Sequence, residues 1–472
     1  MKYKELFFIV FLLLPAIAFK AQADSVVVTG QMRVTGRLRV GDNNTAAVKG
    51  NIRWNDTTND FEGFNGVEWL SLTATASSND LDGSVQGLGA LKNYVPATSS
   101  DGTASDVFGC SVAISGDYAI IGARSAENAS NIVTGAAYIF KRNGQQWVQH
   151  QKLLASDGAL DDFFGVSVDI SGNYAIVGAS LDDDNGTNSG SAYIFKLTGT
   201  TWSEFDKITA SDAADGDVFG SPVAISGLKA VVGASGNDDV GSNSGSAYVF
   251  NEGPSAWTEA QKLTASNAAT LARFGTSLDI TTDRLIVGAN PGGVAQGSAY
   301  VFFFNGSSWS EQAILNETFG TALGYGISVA ISSDNAVVGS NLDTLGSMAT
   351  AFVYKRSGVT WSFQKKFTGA NDSNFGIRVN LQGQFLLVSA TSEASITGCS
   401  GSPVSNAGRV YVFKNSNGVW YQHLIISDPL ADNGNLFGVG IGVSGNDIVI
   451  GSQTADPNGI SNQGTSMFAR IE

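Results

Sequence analysis

One dipeptide sets the register of the whole chain. Phe-Gly, once replaced by Tyr-Gly, returns at Phe108-Gly109, Phe164-Gly165, Phe219-Gly220, Phe274-Gly275, Tyr325-Gly326, Phe375-Gly376 and Phe437-Gly438. The copies lie 50 to 62 residues apart, close to the roughly 50 of a propeller blade of the kelch length class. A period of this length marks a unit that must stack on copies of itself to cover its apolar faces. The second copy shows what the unit contains. Val166-Ser-Val-Asp-Ile170 alternates with period two, Ser171-Gly172-Asn173 turns the chain, and Tyr174-Ala-Ile-Val-Gly-Ala179 completes a β-hairpin. Gly190-Ser-Ala-Tyr-Ile-Phe195 then gives a third strand, and a turn at Leu197-Thr-Gly-Thr-Thr201 leads into a fourth that starts at Trp202. Four short strands per period predict an all-β, seven-bladed β-propeller of four-stranded antiparallel blades over residues 91–472.

The residue types fit that reading. Strands covered on both faces should be apolar throughout. The repeat Phe is expected to wedge between blades, with its Gly supplying a conformation or clearance that a side chain would block. Gly178 and Ala179 are expected to let the innermost strands crowd toward the axis. Lys152, Lys207, Lys262, Lys365 and Lys366 fall on outermost strands, where charge guards a free edge. Trp147, Trp202, Trp257, Trp309, Trp361 and Trp420 recur at the entry to the fourth strand and read as packing residues. The seventh copy reaches only its third strand, Gly464-Thr-Ser-Met-Phe-Ala-Arg470. Leu91-Lys-Asn-Tyr-Val95 with Ser100-Asp-Gly102 looks like Lys152-Leu-Leu-Ala-Ser-Asp-Gly158, so residues 91–95 are predicted to finish the last blade.

Residues 108–123, Phe-Gly-Cys-Ser-Val-Ala-Ile-Ser-Gly-Asp-Tyr-Ala-Ile-Ile-Gly-Ala, resemble the FG-GAP repeat of integrin alpha-subunit propellers and of bacterial surface proteins. The resemblance spans residues 91–472 and implies extracellular ligand recognition, although a fold does not carry a function with it. It also implies calcium in an Asp-x-Asp-x-Asp-Gly loop between the first and second strands. Here that connection is only Ser115-Gly116-Asp117, Ser171-Gly172-Asn173 or Ser226-Gly227-Leu228, too short to wrap a cation. No cofactor and no metal ligand set is expected, with calcium the one open alternative, lacking integrin-type loops to hold it.

Strand order places the loops after strands two and four at one end of each blade. That rim gathers Asp157, Asp161, Asp162, Asp182, Asp183, Asp184, Asp238 and Asp239, the candidate binding residues. Loops on a rigid scaffold carry function, but turns also favour Asp for purely local reasons. The opposite rim carries Lys141, Arg142, Lys196, Lys355, Arg356 and Lys414. The formal net charge of −15 repels nucleic acid and anionic membrane. Two histidines, His150 and His423, both expected on blade surfaces, make a histidine-based centre hard to assemble. Cys110 and Cys399 fall in repeats one and six, which are not neighbours, so no disulfide is expected.

Residues 1–23 read as a secretory signal: Lys2 and Lys4, an apolar run from Leu6 to Phe19, then Ala21-Gln22-Ala23. No later run approaches the roughly 20 apolar residues of a membrane span. Residues 24–72 suggest a β-rich stalk segment, able to form a homo-oligomer, and residues 73–90 a flexible linker. The leading expectation is a secreted or surface recognition protein that binds an extracellular protein or glycan. A glycan hydrolase or lyase using rim carboxylates, and a structural envelope or fibre component, are the alternatives. No Gly-x-Ser-x-Gly, His-Glu-x-x-His or phosphate-loop motif supports catalysis.

Overall fold

Every repeat dipeptide stands at, or just ahead of, the innermost strand of its own four-stranded sheet in a computed structural model of the protein. The structure describes residues 52–55, 60–64, 69–71, 91–292, 296–316, 324–341, 349–369, 374–393, 406–428 and 434–472. Seven such sheets follow one another, so the fold is the seven-bladed propeller. Blades are numbered here from Phe108. In blade two, Phe164–Ser171, Tyr174–Ala179, Ser191–Thr198 and Thr201–Ile208 pair in chain order, antiparallel throughout. The second strand is buried along its whole length because neighbouring blades cover both faces, whereas the fourth begins by alternating exposed and buried.

The last sheet is composite. Gly440–Ser444, Asp447–Ser452 and Thr465–Ile471 are completed by Leu91–Ala97, with Val95 opposite Phe468 and Lys92 opposite Arg470. The closing strand continues past Val95 through Pro96 to Ala97, which an outermost strand tolerates because one edge needs no ladder donor. The register shifts between the third and fourth strands of every blade, at Ile194/Phe195 in blade two and at Phe468/Arg470 in blade seven. Such bulges sharpen the twist that a radial blade requires.

Seven apolar clusters occupy the seven gaps between neighbouring blades. The repeat aromatics are the wedges, each at most 1% exposed. Phe164 meets Tyr193 and Phe195 edge-on, with centroids 5.4 and 6.1 Å away. The six recurring tryptophans are buried as well. Trp202 lies edge-on to Tyr118 of blade one at 5.6 Å, and Trp147 of blade one stacks on Phe468 of blade seven at 4.6 Å. The closure therefore also has a fourth-strand tryptophan packed on an aromatic ring of the preceding blade, stacked where the Trp202 contact is edge-on. Outer strands are also bridged by side chains: the Gln151 amide donates to the Trp202 carbonyl at 2.6 Å and accepts the Trp202 N–H at 3.0 Å.

The repeat glycines have φ between +82° and +106°, a region that suits glycine. Gly178 has a different reason from the axial crowding expected of it. A Cβ there would lie 1.8 Å from the carbonyl oxygen of Gly220 in blade three, so the bare α-carbon makes room for the next blade's repeat backbone. At the closure Gly451 makes the same room for the Gly109 carbonyl, at 2.0 Å.

The chain divides after Ser84. In the first unit Ile52–Asn55, Asp60–Phe64 and Trp69–Ser71 form an antiparallel three-stranded sheet in chain order. The expected leader at residues 1–23 and linker at residues 73–90 lie outside the described residues, as does Cys399. Cys110 is a buried free thiol. Among the described residues no helix is long and apolar enough to cross a membrane.

Candidate binding face

The rim carboxylates divide into those that build the loops and those that meet solvent. Asp162, Asp106 and Asp217 are buried and hold their own turns: Asp162 accepts the Ala159 N–H at 2.5 Å, Asp106 the Thr103 N–H at 2.7 Å and Asp217 the Ala214 N–H at 3.0 Å. Burial raises all three carboxyls above the usual range, more than these bonds lower them. Asp183 accepts the Asn188 N–H at 2.7 Å and Asp238 the Asn243 N–H at 2.6 Å, each pinning a loop while staying exposed. Asp161 is exposed, with φ +65°.

The remaining candidates converge on lysines. Lys207 Nζ lies 2.7 Å from Asp157, 3.0 Å from Asp182 and 2.5 Å from Asp184, and the single Tyr193 hydroxyl proton is shared between Asp157 at 2.8 Å and Asp182 at 3.0 Å. Blade three repeats the arrangement, with Lys262 paired to Asp212 and Asp239 and Tyr248 donating to Asp212. Lys152, Asp101 and Tyr138 form a smaller copy in blade one. Burial alone would raise Asp157, but bonds from Lys207 and Tyr193 hold it below the ordinary carboxylate range. Burial likewise opposes the charge on Lys207, and its carboxylates overcome this and push the ammonium up. Three of the outer-strand lysines expected to guard free edges, Lys152, Lys207 and Lys262, are thus folded into this rim, Lys207 lying 5.1 Å over the Tyr193 ring, whereas Lys365 donates to the Trp420 carbonyl at 3.0 Å. One ammonium is thus shared by Asp157, Asp182 and Asp184, and another by Asp212 and Asp239.

Exposed apolar side chains, which the sequence reading passed over, stand among these loops. Ile132 and Leu160 flank the gap between blades one and two; Val240 and Leu271 flank that between blades three and four. The Asp161 N–H donates to Val133 at 2.8 Å and the Leu271 N–H to Ser242 at 2.8 Å, so each pair is tied together through backbone.

Two further carboxylates belong to the axial wall. Asp169 accepts its neighbour Ile170 N–H at 2.8 Å and the Ile225 N–H of blade three at 2.7 Å. Asp279 does the same for Ile280 and for Ile331 of blade five. Each satisfies amides on the free edges of two innermost strands. Burial outweighs these bonds and pushes Asp169 up to about 7 and Asp279 up to about 6. The folded state therefore keeps protons that the unfolded chain has released, and stability from these groups declines as pH rises from near 4 through 6 and 7. The melting temperature is expected to fall between about pH 5 and about pH 8, with a smaller fall in the Asp169→Asn, Asp279→Asn double variant. Equal slopes in scanning calorimetry would contradict this assignment.

His423 departs from its expected surface position: it is buried, and its Nε2 lies 2.8 Å from the Glu472 carbonyl oxygen beside Phe385 and Tyr421. His150 is exposed. Among the described residues no group of three or more His, Cys, Asp or Glu is arranged to hold a metal ion.

The FG-GAP repeat is matched over residues 96–140, 147–195, 202–250 and 257–302. The last three matches open on an outermost strand, at its tryptophan, and end in the third strand of the next blade. The sequence repeat is thus offset from the structural blade by one strand, and the first match opens within the closing strand. No curated protein is matched by the chain.

Proposed function

Because this chain is a seven-bladed β-propeller carrying FG-GAP repeats, we propose that it is an exported recognition or adhesion protein that binds an extracellular protein or polysaccharide and does no chemistry on it. The observation that carries the reading is the exposure of Ile132 and Leu160, and of Val240 and Leu271, on neighbouring loops tied by backbone hydrogen bonds and held by Asp162, Asp238 and Asn128. Rigid loops that offer apolar tips within a polar surround bind a partner with little ordering cost. The carboxylates nearest lysines serve this face by fixing loops. The exposed ones, Asp161, Asp183 and Asp238, supply polar contacts, the last two through the oxygens left over from their loop bonds. The apolar start of the chain and the family's extracellular habit support export.

Immobilised glycans and extracellular-matrix proteins, probed with and without calcium, test the proposal. Selective binding without turnover, weakened at least about tenfold by Leu160→Asp with Leu271→Asp, is the expected result. Cleavage of a bound glycan, or higher-order assembly with no ligand, would overturn it.

A further inference from the structure

At the rim opposite the carboxylates, the first residue of each second strand faces a third-strand residue. In five of the blades this pair is closed by a ring or an ion pair. Blade one uses Tyr118 and Lys141: the ammonium sits 5.3 Å over the ring, which packs against Trp202 of blade two. Tyr174 with Lys196 repeats this in blade two, and Phe385 with Lys414 carries the same cation–ring contact in blade six. Blade four stacks Arg284 on Phe303, and in blade seven Asp447 takes Arg470 and also Arg142 of blade one. In blade three, Lys229 reaches Phe304 of blade four.

Blade five breaks the pattern with Asn335 opposite Lys355. Asn335 is short and has no ring, so a cleft of about 230 Å³ opens between blades five and six, lined by Asn335, Lys355, Gln364, Gln384 and Asn415 together with glycines. Its framework is fixed: Gln364 donates to the Gly418 carbonyl at 2.7 Å, and Asn415 accepts the Gly418 N–H at 2.9 Å. Two groups in it lack what their counterparts have. Asn335 Oδ1 is enclosed and accepts no hydrogen bond among the described residues. Lys355 has neither a carboxylate nor a ring against its ammonium among them. No apolar side chain lines the cleft.

We propose that this cleft binds one carboxylate-bearing sugar unit, a uronic acid residue of an acidic polysaccharide, which rests on the reading of the protein as a recognition module. The sugar carboxylate pairs with Lys355, a charge-assisted contact that the protein itself leaves unmade. On binding, the Asn335 amide turns its Oδ1 toward the cleft and accepts a ring hydroxyl, giving an enclosed acceptor the partner it lacks in the unliganded protein. The Gln384 amide, exposed at the mouth, meets a second hydroxyl. Chloride, nitrate or sulfate has no donor for Asn335, and an apolar peptide side chain has nothing to bury against. The volume falls below the roughly 300 Å³ of a pocket for a drug-sized ligand, so one ring enters while the rest of the polymer crosses the rim.

Titration calorimetry on the full chain with galacturonic acid, its trimer, galactose and acetate tests the site. Galacturonic acid and the trimer should bind, galactose and acetate at least about tenfold more weakly, and Lys355→Gln should cost at least about tenfold. Asn335→Tyr installs the residue of blades one and two, and should abolish binding without lowering the melting temperature. Absence of uronate binding to the wild type, equal binding of galactose or acetate, or persistence of binding in a folded Asn335→Tyr protein would each overturn the proposal. If arrays find another ligand that Asn335→Tyr does not affect, this site fails while the recognition reading stands; if no ligand binds any face, the recognition reading fails.

Discussion

Gly178→Ala should destabilise the propeller by at least about 4 kcal/mol, or prevent its accumulation as soluble protein. The added methyl would lie 1.8 Å from the Gly220 carbonyl oxygen and 2.8 Å from its carbon, both backbone atoms of the adjoining blade. Neither side can yield cheaply. Gly220 itself has φ +106°, and a Cβ there would lie 2.4 Å from the Ser191 carbonyl oxygen, so the two blades are interlocked through main chain. Relief requires moving blade three outward as a body, which would open the apolar cluster that joins Ile176 and Ile194 to Phe219 and Val232. Gly172→Ala is the control: it has φ +59° and nothing within 4 Å, so only the left-handed backbone is penalised, by about 1 to 2 kcal/mol. Urea unfolding of both variants decides the point. Equal losses would mean that the close approach of blades two and three is wrong.

Removing residues 1–97 should abolish cooperative folding, whereas removing residues 1–84 should leave the melting transition in place. The longer deletion takes away the strand paired with Thr465–Ile471, exposing a full row of backbone donors and acceptors on a strand that contains the buried Met467, Phe468 and Ile471. It also removes the Ala97 carbonyl that accepts the Thr465 hydroxyl at 3.0 Å, and Ser100 and Gln149 lose the setting of their paired bonds across the same gap. The loss is on the order of 5 kcal/mol or more, comparable with the whole stability of many domains. Circular dichroism melts and light scattering check it: a monomer that melts sharply without residues 1–97 would contradict the clasp.

Much of this architecture is legible from spacing, because a repeated wedge must leave a repeated dipeptide. The Phe-Gly copies mark the seven innermost strands, and the tryptophans mark the outer ones. Leu91-Lys-Asn-Tyr-Val95 can be placed because it resembles the fourth strand of blade one. Other features depend on neighbours that the sequence does not show. Gly178 reads as a small residue in a strand, and only the carbonyl of Gly220 in the next blade explains it. Lys207 reads as an edge charge, yet its three carboxylates come from two loops belonging to different repeats. Burial of His423 depends on the carbonyl of Glu472 in blade seven. On the candidate face, aspartates are conspicuous in sequence while Leu160 and Leu271 are single residues in polar runs, so composition points to the charges that are largely engaged within the protein. Asn335 carries no signal by itself. Its meaning appears only beside Tyr118 and Tyr174 at the same place in other blades.

The closed ring is tested most directly by a cysteine pair at positions 92 and 470, in a chain with Cys110→Ala and Cys399→Ala. Lys92 and Arg470 stand opposite each other on the closing strand and on Thr465–Ile471. Residues so placed have α-carbons about 4.5 to 5.5 Å apart, within reach of a disulfide. Mild oxidation of the folded protein should give a monomer with one intramolecular 92–470 link, identified by peptide mass spectrometry, and the link should raise the melting temperature. Free thiols, or links only between molecules, in protein that is otherwise folded would mean that the first strand does not close the seventh blade.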